Sequence, residues 1–264
     1  MIEPGFAVLI LVVGFAVSCL SGLLGIGGGI VMAPVLLYLP PAFGFPSLDM
    51  RQVAGLTITQ GLFACLSGAW RHDRHRSVNR RLVICMGSTI AAAALAGSVA
   101  SRWVANAVLM IVFAGLAVIA ALMMWLPKAE EFEVEDPNAC RFSIPLAVSI
   151  ATTVGFLGGL VGQGGSFILI PLMLHVLRLP TRVVIGSNLA LVFLASLAGF
   201  IGKAATGQVP YLPAVLLVLA AVPGAQIGSV LSHRTSPRWL RTTLAVVIAL
   251  AAVRMIADVL GRGQ

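Results

Sequence analysis

Charge is scarce in this sequence. Asp, Glu, Lys and Arg make up 10% of its 264 residues, hydrophobic residues make up 59%, and the mean hydropathy is +1.03. A soluble domain of this length needs a charged surface, and so few ionisable groups do not cover one. Apolar runs of membrane-spanning length recur instead. The composition excludes the soluble classes and points to an all-α polytopic membrane protein.

Acidic residues are scarcer still. There are nine: Glu3, Asp49, Asp73, then Glu130, Glu131, Glu133, Glu135 and Asp136 in one polar stretch, and Asp258. None falls in the middle of an apolar run, which argues against a buried carboxylate relay and against a cation carrier, and leaves an anion as the expected cargo. The four cysteines, Cys19, Cys65, Cys85 and Cys140, form no CxxC pair. Three lie inside apolar runs and read as small packing residues rather than as disulfides or metal ligands, so no metal and no cofactor are expected. Met1-Ile-Glu-Pro4 lacks a positive n-region, so the first apolar run is expected to stay in place. The net charge of +8 sits in short loops between apolar runs, a pattern of membrane topology rather than of nucleic-acid binding.

What the chain does have is a duplicated glycine cluster. Gly22-Leu-Leu-Gly-Ile-Gly-Gly-Gly-Ile-Val-Met-Ala-Pro34 returns as Gly159-Leu-Val-Gly-Gln-Gly-Gly-Ser-Phe-Ile-Leu-Ile-Pro171, at an offset of 137 residues. Each copy lies between two apolar runs, where it is expected to break a membrane helix. The repeat continues at an offset of 131, which carries Gly97-Ser-Val99 onto Gly228-Ser-Val230 and Ser67-Gly68 onto Ala198-Gly199. The change of offset is the longer Pro40–Asp49 loop of the first half. Helices are expected at about 5–21, 30–39, 51–70, 80–100 and 104–126, then at about 142–160, 166–177, 182–201, 212–231 and 238–260.

The chain thus divides into an N-terminal membrane repeat (1–127), a cytoplasmic acidic linker (128–141) and a C-terminal membrane repeat (142–264), with five apolar segments in each repeat. An odd number per repeat forces opposite orientations, and loop charge tests this. With the Arg71–Arg81 loop in the cytoplasm, twelve of the 17 lysines and arginines fall on that side. Arg51, Arg102, Lys203, Arg254 and Arg262 fall on the other, where both termini are then expected. The segments 30–39 and 166–177 are short for a span, so each glycine-broken helix either crosses or forms a re-entrant hairpin. The inversion survives either choice.

A broken helix inside a membrane is tolerated where it lines a cavity, and the restarted helix presents free N–H groups and about half a unit of positive charge. Two such N-termini converging from opposite sides suit a small anion. The candidate substrate-binding residues are therefore Gly27, Gly28 and Gly29 in the first break, and Gly164, Gly165 and Ser166, with Ser166 as cap, in the second. Gln163, Thr57, Gln60, Ser187 and Asn188 are the candidate side-chain donors. Packing by small residues and hydrogen bonding between helices are the competing explanations. A dinucleotide-binding reading starting at Gly25 fails for want of glycine or alanine at Ile30, and a P-loop reading for want of Gly-Lys-Ser/Thr.

The first cluster with Pro34, its repeat from Gly159 to Pro171, and Ser67-Gly-Ala-Trp-Arg71 resemble the sulfite exporter TauE/SafE family over nearly the whole chain. The resemblance implies a permease that exports sulfite, sulfoacetate or related anions across the bacterial inner membrane, with protons as the candidate coupling ion. Gln163 in place of Ile26, and Ser166 in place of Gly29, make the second copy the more polar. Import of the same anions is the alternative direction. An enzyme of sulfur chemistry acting through Cys19 or Cys65 is a weaker alternative, because no base or metal site is apparent near them.

Overall fold

The computed structural model describes residues 3–24, 29–72, 79–124, 140, 142–163, 165–232, 253–255 and 257–258. All secondary structure among them is helical. The elements are α1 (Pro4–Leu24), α2 (Gly29–Ala42), α3 (Met50–His72), α4 (Arg80–Ala100), α5 (Asn106–Met124), α6 (Ile144–Val161), α7 (Ser166–His175), α8 (Thr181–Ala205) and α9 (Tyr211–Ser232). Residues 253–255 and 257–258 are helical too, and the Arg254 guanidinium lies over the Tyr38 ring of α2 at 5.1 Å. The linker 128–141 apart from Cys140, most of the basic loop after α3, and most of the segment 238–260 lie outside the described residues.

Five of these helices contain a stretch long and apolar enough to cross a membrane, on α4, α5, α6, α8 and α9. Their outer faces carry Ile84, Leu122, Ile201 and Val230, all exposed, as expected of side chains that meet lipid rather than water. The helices α2 and α7 have 14 and 10 residues. At the usual rise that is about 21 and 15 Å, short of a hydrocarbon core about 30 Å thick.

Local chemistry explains most boundaries. Asp49 Oδ1 accepts from the Gln52 N–H at 2.7 Å while Gln52 Oε1 accepts from the Asp49 N–H at 3.1 Å, a reciprocal cap that starts α3. Asn79 Oδ1 caps α4 through the Leu82 N–H at 2.8 Å. One boundary departs from expectation: α2 does not stop at Pro40 but runs to Ala42. Proline removes its own N–H and leaves its carbonyl, and the Pro40 carbonyl accepts from Phe43 and Phe45 while that of Pro41 accepts from Gly44.

The most extensive helix pairs are α1 with α9 and α4 with α6. Glycines let these backbones approach. A Cβ on Gly22 would collide with the Ala225 carbonyl, and one on Gly159 would collide with the Ala94 carbonyl. The offset of 137 carries Gly22 onto Gly159, and that of 131 carries Ala94 onto Ala225. The two contacts thus involve corresponding residues of the two halves. Together they hold α1 against α9 and α6 against α4.

Candidate functional site

The second break is built from two left-handed glycines. The helix α6 ends at Val161, Gly162 follows at φ 74°, and Gly165 at φ 74° occupies the position before α7. Residues with a Cβ avoid that conformation, and here there is also no room for one. A Cβ on Gly162 would strike the Ala54 main chain, and one on Gly165 would strike Val154 Cγ1. The carbonyl of Gly165 opens α7 by accepting from Ile168 and Leu169 at 3.2 and 3.0 Å. Ser166 was expected to cap this helix. It is instead its first residue, with Gly165 in the cap position and no side-chain cap bond, because the left-handed turn falls one residue earlier.

From this turn the Gln163 Nε2 donates to the Gly29 carbonyl at 2.9 Å. Gly29 is the first residue of α2, so the turn after α6 meets the start of α2 across 134 residues of sequence. The Thr57 hydroxyl of α3 lies 3.0 Å from the Gly162 carbonyl and 3.0 Å from its own Val53 carbonyl. One turn further on, Gln60 Nε2 donates to Ser18 Oγ of α1 at 2.8 Å. The helix α3 therefore ties α1 to the second break.

The junction gathers Gly29, Gln163 and Thr57, with Gln60 a turn away on the same helix. Gly27, Gly28 and Gly164 lie outside the described residues, as does the Ser166 side chain. Ser187 is buried and accepts from the Asn79 N–H at 3.2 Å, at the start of α4. Asn188 is half-buried. Of the candidate donors, Gln60, Gln163 and Asn188 each keep a buried side-chain oxygen with no hydrogen-bond partner among the described residues. Buried polar atoms are nearly always paired, so these oxygens are candidate contacts for a ligand or a water.

Lys203 escaped the sequence reading, which ended the helix at about 201 and counted Lys203 among the loop charges. The helix α8 continues through it to Ala205, and its side chain is fully buried. Its Nζ donates to Ser101 Oγ at 2.8 Å, to the Leu160 carbonyl at 3.3 Å and to Gln208 Oε1 at 3.3 Å. Leu160 is two residues before Gly162, so this ammonium stands at the end of the helix that breaks. The sequence carried one signal: Lys203 is the lone ionisable residue after Arg182 in an otherwise apolar α8.

A cavity of about 330 Å³ between α3, α8 and α9 is lined by Phe63, Phe200, Val215 and Leu219, with Thr59 and Tyr211. Its apolar lining is unsuited to an ion. Cys65 is buried and Cys19 half-buried.

The sequence model of one protein family, "Sulfite exporter TauE/SafE", matches residues 10–255. Among curated proteins, "Probable membrane transporter protein YunE" of Bacillus subtilis (strain 168) is 24% identical, with 95% of this chain and 97% of that one covered. "Probable membrane transporter protein YjnA" of the same strain is 26% identical over 95% of this chain and 100% of its own length. A probable membrane transporter protein of Methanocaldococcus jannaschii is 22% identical, with 94% of each chain covered. No solved structure matches.

Proposed function

The chain belongs to the sulfite exporter TauE/SafE family of membrane transporters, and from that premise we propose that it exports sulfite or an organosulfonate such as sulfoacetate across the bacterial inner membrane. The observation that carries the proposal is the bond from Gln163 to the Gly29 carbonyl, which joins the turn between α6 and α7 to the start of α2. The N-terminus of α7 starts at a glycine with no side-chain cap, so its first N–H groups and its positive dipole end are available to an oxyanion. The unpaired oxygen of Gln163, two residues before Gly165, and that of Gln60 on α3 are further acceptors. A monoprotonated oxyanion such as hydrogensulfite offers oxygens to the N–H groups and an O–H to these acceptors.

The mechanism proposed is alternating access of two inverted repeats, each with a hairpin made from its broken helix. The shortness of α2 and α7 supports the hairpins. The corresponding contacts Gly22–Ala225 and Gly159–Ala94 support the repeat. Both termini then face the periplasm, with protons as the proposed coupling ion.

Flux of sulfite and sulfoacetate into proteoliposomes, with and without a proton gradient, tests the proposal. Accumulation above protein-free vesicles is expected, and no flux of either anion under any gradient would sink it. Thermal stabilisation across sulfite, thiosulfate, sulfoacetate, sulfate and carboxylates then ranks the substrates, because a ligand that binds the folded state raises stability with the logarithm of its concentration over Kd.

A further inference from the structure

The C-terminal carbonyls of a helix carry about half a unit of negative charge and need donors or cations. At the end of α6 this need meets a set of oxygens that all point at one place. They are the Leu160 carbonyl, the Ser101 hydroxyl at the end of α4, and the Gln208 amide oxygen between α8 and α9. The Gln208 orientation is fixed, because its Nε2 donates to the Ser98 carbonyl at 3.0 Å and to Thr206 Oγ1 at 2.7 Å, which turns Oε1 toward the cluster. The Ser101 hydroxyl in turn lies 2.6 Å from the Ser98 carbonyl, so its lone pairs are left for a donor.

The donor is Lys203. An ammonium has three N–H bonds, and here three oxygens receive them. All three are neutral. A buried ammonium ordinarily needs a carboxylate to offset its desolvation, and this one is hydrogen-bonded to none. A main-chain carbonyl at the end of an interrupted helix, joined by a hydroxyl and an amide oxygen, is instead the ligand chemistry that takes a small mobile cation in transporters with broken helices.

We propose that Lys203 is a built-in cation, whose ammonium fills an oxygen cage at the C-terminal end of α6 that would otherwise take a sodium ion. The second helix break is then held closed without any co-transported metal cation. If the chain carries an anion as proposed above, the same charge stays behind as a fixed positive partner when the anion leaves.

The test uses the full-length purified protein and thermal unfolding at constant ionic strength in sodium, potassium, choline or propylammonium chloride. The wild type is expected to unfold at the same temperature in all four. Lys203→Ala, which removes the ammonium and keeps the oxygens, is expected to unfold lower in choline. Sodium or propylammonium then restores it by a saturable rise of roughly 3 °C or more, the size that about a tenfold excess over Kd produces in a chain this long. Should Lys203→Ala not survive purification, Lys203→Met keeps most of the apolar stem, ends short of the three oxygens and is compared in sodium and choline in the same way.

A variant whose unfolding temperature is the same in sodium, propylammonium and choline overturns the proposal. So does a wild type that is itself stabilised by sodium over choline. Chloride is common to all four salts, and no sulfur oxyanion enters these measurements. A wild type that binds none of the sulfur oxyanions removes the transport reading and leaves the cage standing, whereas insensitive variants remove the cage and leave the transport reading standing.

Discussion

The Gln163 amide reaches the Gly29 carbonyl at 2.9 Å, and a Cβ on Gly29 would occupy the space of that amide. The two residues are therefore coupled. Gly29→Ala displaces the Gln163 head group, Gln163→Ala leaves the Gly29 carbonyl without this donor, and either change breaks the same bond. The double variant is expected to be more stable than the sum of the singles by about 1 kcal/mol, within the range found for residues in contact. Thermal unfolding of the four proteins measures this. Additivity to within about 0.3 kcal/mol means that the bond contributes nothing.

The left-handed glycines separate strain from collision. Gly162 and Gly207 have φ of 74° and 70°, but only Gly162 has a neighbour, the Ala54 main chain, where a Cβ would stand. Gly207→Ala is expected to cost about 1–2 kcal/mol, the strain of a left-handed residue with a side chain, and to leave transport intact. Gly162→Ala carries the same strain plus a collision with backbone that has no flexible end to move. It is expected to yield little folded protein by fluorescence-detected size exclusion. Equal yields for the two would mean that α6 and α3 are not in contact at Ala54.

Much of this architecture could be read from residue patterns. The all-helical class, the apolar segments and the site of the second break follow from hydropathy and from glycines whose freedom a turn requires. The start of α3 falls at Met50, one residue before the expected 51, where Asp49 and Gln52 cap each other. What was not legible depends on partners far away in the chain. Gln163 bonds a residue 134 positions earlier, and no local pattern announces it. Lys203 looked like a loop charge because the apolar run was expected to end at about 201. Its burial is set by Ser101, 102 positions earlier, and by Leu160, 43 earlier. The end of α2 was misplaced for another reason: a proline pair reads as a stop, although its carbonyls still close a turn.

Two threonines on α3 give a matched pair. Thr57 Oγ1 reaches both its own helix and the Gly162 carbonyl, at 3.0 Å each, whereas Thr59 Oγ1 bonds only the Gly55 carbonyl of α3, at 2.7 Å. Valine has nearly the shape of threonine without the hydroxyl. Thr57→Val leaves the Gly162 carbonyl short of a donor in a buried place, at a cost of about 1–3 kcal/mol, and flux is expected to fall with it. Thr59→Val loses a bond to a carbonyl of its own helix and is expected to stay within about 0.5 kcal/mol of the wild type. Similar losses in both would show that the hydroxyl matters to α3 alone and not to the break.

Opposite orientation of the halves makes a prediction about sidedness. The loop after α2 contains Ser47 and the turn after α7 contains Arg178, both exposed. These connections follow the short helix of each half, so inversion puts them on opposite faces of the membrane. Loop charge assigns Arg178 to the cytoplasm and Ser47 to the periplasm. In a background with Cys19, Cys65, Cys85 and Cys140 replaced, Ser47→Cys is expected to react with an impermeant maleimide on intact cells whose outer membrane has been made permeable. Arg178→Cys is expected to react only after the inner membrane is opened as well. Two cysteines that react from the same side would rule out the inversion, and with it the convergence of two helix N-termini on one anion.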